Sequence, residues 1–189
     1  MAGTVGVVNG SLIRRIADSS SGYWKEYALY PQAFRITGGA PTPVDANANT
    51  LGGYQLNDAG EILAFNTHVD DDWDGESDIL IDLYFEINAA GGAPTDTVDF
   101  DVAVYMKKPG DTSTRSQSLT ATKTIGAAAQ FTAFESEATL VHDDGANPVN
   151  ETDTLTIEVN LNTGTSEVDD VILNYVEIKY RMLPPNLER

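Results

Sequence analysis

The residues with the clearest potential for chemistry are the carboxylates of residues 69–81, V-D-D-D-W-D-G-E-S-D-I-L-I. Asp70, Asp72, Asp74 and Gly75 match positions one, three, five and six of a calcium loop, and Asp78 matches position nine. Position twelve, which should supply a bidentate Glu, is Ile81, and the flanks read as strands where a calcium loop of this kind needs helices. Half a ligand set is present without its closing ligand. The favoured expectation is therefore a turn whose carboxylates cap backbone N–H groups, with no metal and no cofactor. A loose calcium site at Asp70, Asp72 and Asp74, completed by Asp143-Asp144 or Asp169-Asp170, is the alternative.

Trp73, inside the same turn, could stack on a sugar ring. A side chain of that size more often folds over the end of a core, and no other aromatics cluster beside it in sequence. His68 and His142 each stand next to aspartates at strand ends, which a serine could turn into a hydrolytic triad. No G-x-S-x-G elbow is present, and 29 acidic residues allow carboxylate pairs to be chosen in countless ways. No residue is assigned a catalytic role, and an enzyme is not expected.

These groups must be positioned by strands. In residues 79–87, Ile79, Ile81, Leu83, Phe85 and Ile87 alternate with Leu80, Asp82, Tyr84 and Glu86, the period of two that a half-buried strand requires. The same alternation marks residues 98–106, 154–162 and 171–182. In the last of these Ile172, Val176, Ile178, Tyr180 and Met182 are expected to face in. Residues 61–69 and 131–141 read as further strands, and residues 115–124 as a polar edge strand. Residues 27–36 read as an edge strand interrupted by Pro31. The Asn57-Asp58-Ala59-Gly60 turn makes residues 54–56 a plausible hairpin partner for the strand that follows, and 38–53 reads as a long loop.

Eight or nine strands separated by turns, with no sustained helical period, predict an all-β, antiparallel two-sheet jelly-roll β-sandwich. The expected organisation is an N-terminal arm over 1–26, the sandwich over 27–183 and a C-terminal tail over 184–189. The arm holds Leu12, Arg14, Arg15, Tyr23 and Trp24. Aromatics at that position are costly to leave in water. These five residues are the expected partner-binding set, with Arg14 and Arg15 meeting acids on a neighbouring subunit.

The 189 residues include no cysteine, so disulfides and thiolate chemistry are absent. Eleven basic against 29 acidic residues, a net charge of −18, argue against a nucleic-acid backbone or an anionic membrane as partner. No apolar run approaches the ~20 residues that span a bilayer, and the first residues lack a signal peptide's basic start and apolar stretch. Synthesis and assembly in a cytoplasm are the expectation.

The order D-D-W-D-G-x-S-D-I-x-I-x-L at 71–83, a Val-rich strand at 98–105, a Ser/Thr strand, D-T-L-T-I-E-V at 153–159 and D-D-V-I-L-N-Y-V-E-I-K-Y at 169–180 resembles tailed-phage virion proteins of jelly-roll type. The resemblance covers 54–182. The long loop at 38–53 and the basic, Gly-rich first residues depart from that pattern. The resemblance implies a non-enzymatic virion component assembled in the host cytoplasm: a capsid decoration, cement or head-spike protein. It implies a homotrimer that contacts other virion proteins such as the major capsid protein. The alternative is a carbohydrate- or receptor-binding module of a virion fibre, acting through the loops around Trp73.

Overall fold

Where the chain alternates apolar and polar residues, it pairs into two antiparallel sheets that face each other across those apolar rows. The computed structural model describes residues 5–8, 11–18 and 22–183, with side chains described from Tyr23 onward. Among the described residues there are thirteen strands: β1 Val5–Val8, β2 Ser11–Asp18, β3 Gly22–Leu29, β4 Arg35–Gly38, β5 Thr42–Val44, β6 Gly53–Leu56, β7 Ile62–His68, β8 Ile79–Ile87, β9 Thr97–Lys107, β10 Arg115–Thr124, β11 Ala133–Leu140, β12 Thr154–Leu161 and β13 Val171–Met182. The one helical turn among the described residues is a 3-10 segment, Pro31–Ala33.

The last eight strands form a jelly roll. One sheet runs β6-β13-β8-β11 and the other β7-β12-β9-β10, so consecutive strands change sheet except at the β9–β10 hairpin. The remaining strands extend these sheets. β4 pairs with β7 at one edge, β5 pairs with β6, and β1-β2-β3 joins β13. One margin of β13 carries β8 along residues 171–179. Its other margin carries β6 at 171–173 and then β3 at 176–182, placed end to end.

Ile79, Ile81, Leu83, Phe85 and Ile87 of β8 point into the space between the sheets, as their alternation requires, and meet Val98, Phe100, Val102 and Val104 of β9. Phe85 packs edge-on against Phe100 at 5.0 Å and beside Phe134 at 5.8 Å. Each such side chain, fully buried, contributes about 1.5–3 kcal/mol, so this doubly walled core dominates the stability.

Several local expectations are corrected. Residues 1–26 are not an irregular arm in their described part: β1 and β2 form a hairpin, and the boundary at 26/27 falls inside β3. Gly and Ser content suggested irregularity, but pairing with β13 supplies the backbone partners that local sequence does not. Leu12, Arg14 and Arg15 lie on β2, with Arg14 in register with Glu26 and Arg15 with Lys25; their side chains are outside the described residues. Pro31 does not interrupt one edge strand. It starts the turn that carries the chain from β3 in one sheet to β4 in the other. Residues 54–56 are likewise no hairpin partner of β7, because β6 and β7 belong to opposite sheets. The Glu61 carboxylate accepts from the Asn57 and Asp58 N–H groups at 2.7 and 3.1 Å and makes that turn an intersheet corner.

In β13 the register slips between Leu173 and Tyr175, a β-bulge at Asn174. Before it Val171 and Leu173 face the core; after it Val176, Ile178, Tyr180 and Met182 do. Ile172, expected among the inward residues, stands opposite Glu86 on the outer face and is buried there. The bulge also sets Tyr175 beside Tyr84 on that outer face.

Candidate functional site

The acidic turn is held by protein groups. Lys25 on β3 donates to Asp70 and, at 3.0 and 3.2 Å, to both oxygens of Asp72. The Tyr27 hydroxyl donates to Asp70, as does Tyr180 at 2.8 Å, and His68 contacts the second Asp70 oxygen. Burial first, and the charges of Asp70 and Asp72 next, push the Tyr180 phenol far above its ordinary range, so it stays a donor. Asp74 caps the turn, accepting from Ser77 N at 2.9 Å, Ser77 Oγ at 2.7 Å and Glu76 N at 3.1 Å. The calcium-loop ligands are thus dispersed: two bind Lys25, one caps the turn and Asp78 pairs with His142. No group of three or more His, Asp or Glu is placed to hold a metal among the described residues.

Trp73 is 1 % exposed and its indole N–H donates to Ser77 O at 3.1 Å. It covers the end of the core and offers no face to a ligand. Tyr23, the first side chain described, is part-exposed on β3, and Trp24 is half-buried.

His142 donates its backbone N–H to Asp78 at 2.9 Å and sets Nδ1 at 2.8 Å from the same oxygen. The backbone bond, more than the imidazole, holds the Asp78 carboxyl below the usual carboxylate range. A depressed carboxylate contributes stability above its unfolded pKa and loses it as pH falls through the folded value. Asp78→Asn is therefore expected to flatten the decline of Tm below about pH 4, measured by thermal melts across pH. The described hydrogen bonds join neither histidine to a serine, so the triad geometry is not assembled.

Three tyrosines, one exposed and two half-buried, gather elsewhere, at the β13 bulge. Tyr175 stacks on Tyr84 with centroids 4.2 Å apart and planes 11° from parallel, and the Tyr30 ring lies 5.7 Å from that of Tyr175, tilted by 38°. The Tyr84 hydroxyl donates to Glu177 at 3.2 Å. Burial, then Glu177, raises both the Tyr84 and Tyr175 phenols above their ordinary range, so both remain neutral. Tyr30 and Tyr175 form one wall of a cleft of about 610 Å³; Tyr54, Leu51 and Asp45 belong to its remaining lining, and Asn174 stands beside them. Leu51 is 68 % exposed at the rim. Among the described residues Asp45 is the one carboxylate in this lining, and no Lys, Arg or His contributes to it.

The wall formed by residues 50–53 is fastened from below. Glu86, 3 % exposed, accepts from the Thr50 hydroxyl, from Leu51 N at 3.2 Å and from Asn174 Nδ2 at 3.3 Å. Asn174 also donates to Gly52 O at 2.8 Å. The bulge residue thereby ties loop to sheet, and the buried carboxylate is satisfied by neutral donors. Gly53, with φ +149°, passes so close to β13 that a Cβ would sit 2.1 Å from Leu173 O. These residues are far apart in the chain, so no local run of aromatics marks the cleft. The available signal was the break in β13's alternation at L-N-Y, residues 173–175.

No known family model matches the chain, and no curated protein matches it. Solved structures similar to it include the CBM22-1–GH10 modules of Clostridium thermocellum xylanase 10B with xylohexaose (TM-score 0.49, 16 % identity, 81 % of this chain, 27 % of that one). Another is the CBM22-2 xylan-binding domain of Paenibacillus barcinonensis Xyn10C (TM-score 0.46, 10 % identity, 81 % and 98 % covered). A third is the xylan-binding module CBM15 (TM-score 0.43, 11 % identity, 93 % and 100 % covered). This chain therefore spans about a quarter of the length of the first.

Proposed function

We propose that the chain is a non-catalytic glycan-binding module that holds an uncharged oligosaccharide in the Tyr30–Tyr175 cleft. The observation that supports it is a pre-fastened concave site with an apolar, aromatic wall and a few convergent polar groups. Sugar rings offer an apolar face to tyrosine and hydroxyls to Asn174 and Asp45. A lining with one carboxylate and no cation favours neutral over acidic sugars. This moves the expected carbohydrate site from the Trp73 loops to the outer face of β13.

Affinity electrophoresis through neutral xylan, mannan and dextran is the test. Retardation by at least one is expected, weakened about tenfold by Tyr30→Ala, a loss of ~1.4 kcal/mol. Tyr30 is exposed enough for Tm to hold nearly constant. A wild-type chain that migrates unretarded in every gel would reject the reading.

A second reading places the module on a virion as an oligomer in contact with shell proteins. It is favoured by the β1–β2 hairpin, which stands outside the eight-stranded roll and leaves β1 at the sheet margin among the described residues. Deleting residues 1–18 should abolish incorporation into particles. Unchanged incorporation sinks this role.

A further inference from the structure

On the face of the molecule opposite the tyrosine cleft, the outer side of the β9-β12-β7 sheet carries a different kind of groove. It encloses about 670 Å³ where β9 runs into the turn at 108–111. Tyr105, 39 % exposed, stands in register with Thr156 of β12, and Lys107 with Thr154. Lys108 follows at the groove's end, with Thr114 across from it.

The charge here runs against that of the chain. Lys25, Arg115 and Lys179 are each committed to carboxylates, and Arg181 lies 3.9 Å from Asp74. Lys107 and Lys108 make no ion pair among the described residues, and both are exposed. The carboxylate in the groove lining, Asp111, faces Arg115 at 3.3 Å and accepts from Lys108 N at 3.2 Å, so its charge is already engaged. Across the strands Thr156 stands opposite Asn66 and Thr154 opposite His68, and the next outward residue of β12 is Glu158, opposite Ala103. Two unengaged cations thus share a hydroxyl-lined groove with an open aromatic ring, on a chain of net charge −18.

We infer that this groove is a second binding site, for an oligosaccharide that carries carboxylate groups. A uronate ring presents an apolar face to Tyr105, hydroxyls to Thr154 and Thr156, and its carboxylate to Lys107 or Lys108. At physiological ionic strength screening acts over about 8 Å, so the two lysines in the groove set the local charge, while Glu158 and Asp101 lie farther along the same face. A second copy of the chain is the less favoured occupant, because two bodies of this charge repel as they approach.

The full chain is run in native gels containing alginate or, as the neutral control, dextran. Alginate is expected to retard it at low salt. The retardation should weaken about fivefold in K107Q/K108Q and in Y105A, and fall as sodium chloride is raised. Tyr30→Ala should leave it unchanged, which separates this site from the cleft. No retardation by alginate, or full retardation of K107Q/K108Q, overturns the inference. So does salt-sensitive self-association of the wild type that K107Q/K108Q abolishes, which would give the groove to a second copy.

Discussion

Trp73→Ala is expected to cost about 3–5 kcal/mol. The indole is fully enclosed between the acidic turn and the end of β13, where Trp73 bridges Met182. Its removal opens a cavity that the surrounding turn cannot close. That turn is pinned on both sides, by Lys25 on Asp70 and Asp72 and by the backbone bonds Asp74 N to Arg181 O at 3.0 Å and Leu183 N to Asp72 O at 2.9 Å. The Ser77 carbonyl also loses its indole donor. Trp73→Phe keeps most of the packing and should cost markedly less. Urea unfolding followed by circular dichroism measures both, and a loss below about 1 kcal/mol for the alanine variant would show that the turn can collapse after all.

Arg115→Ala is the second. Asp153 is 0 % exposed, and Arg115 Nη2 meets it at 2.6 Å while Asn150 N donates to its other oxygen at 2.7 Å. Arg115 also donates to Pro148 O, so a single guanidinium fastens the segment before β12 to the start of β10. Removing it leaves a carboxylate inside the protein without its cation, which costs about 3–5 kcal/mol, far more than a surface pair returns. Adding Asp153→Asn to Arg115→Ala should recover part of that loss, because the stranded charge is then gone. A double-mutant cycle checks the coupling, and strictly additive losses would refute it.

The parts of this molecule that sequence alone discloses are those where one strand's pattern decides its own fate. β8, β9 and β12 alternate without a break, and each runs where its apolar residues indicate. β10 reads as a polar edge strand and is one, although Gln117 is buried there and bonds across to Val141 and Asn147. Trp73 reads as a cover for the core by its size, and it is. What stays hidden depends on partners distant in the chain. β3 is Gly- and Ser-flanked and looks irregular until β13 pairs with it. The turn at 57–60 has hairpin composition, yet the chain uses it to change sheets. The phase change at Asn174 is a single extra residue, and it decides which face receives Tyr175. Both the cleft and the tie from Glu86 to residues 50–53 follow from that residue. Charge behaves similarly: Lys25 on β3 donates to Asp70 and Asp72, which lie 45 and 47 residues away in the chain.

The placement of β13 bears on how such a chain comes to be folded. It is the last of the described strands in order and an inner one in position, flanked by β8, β6 and β3. During synthesis those three strands emerge with one side unsatisfied, and none can be sealed until residues 171–182 have left the ribosome. Early domains of that kind fold late and hold open edges meanwhile, the condition in which strands of neighbouring nascent chains join. The bulge at Asn174 and the charged outer row of Glu177, Lys179 and Arg181 make β13 a strand that fits one slot and few others, which guards the last step against a wrong partner.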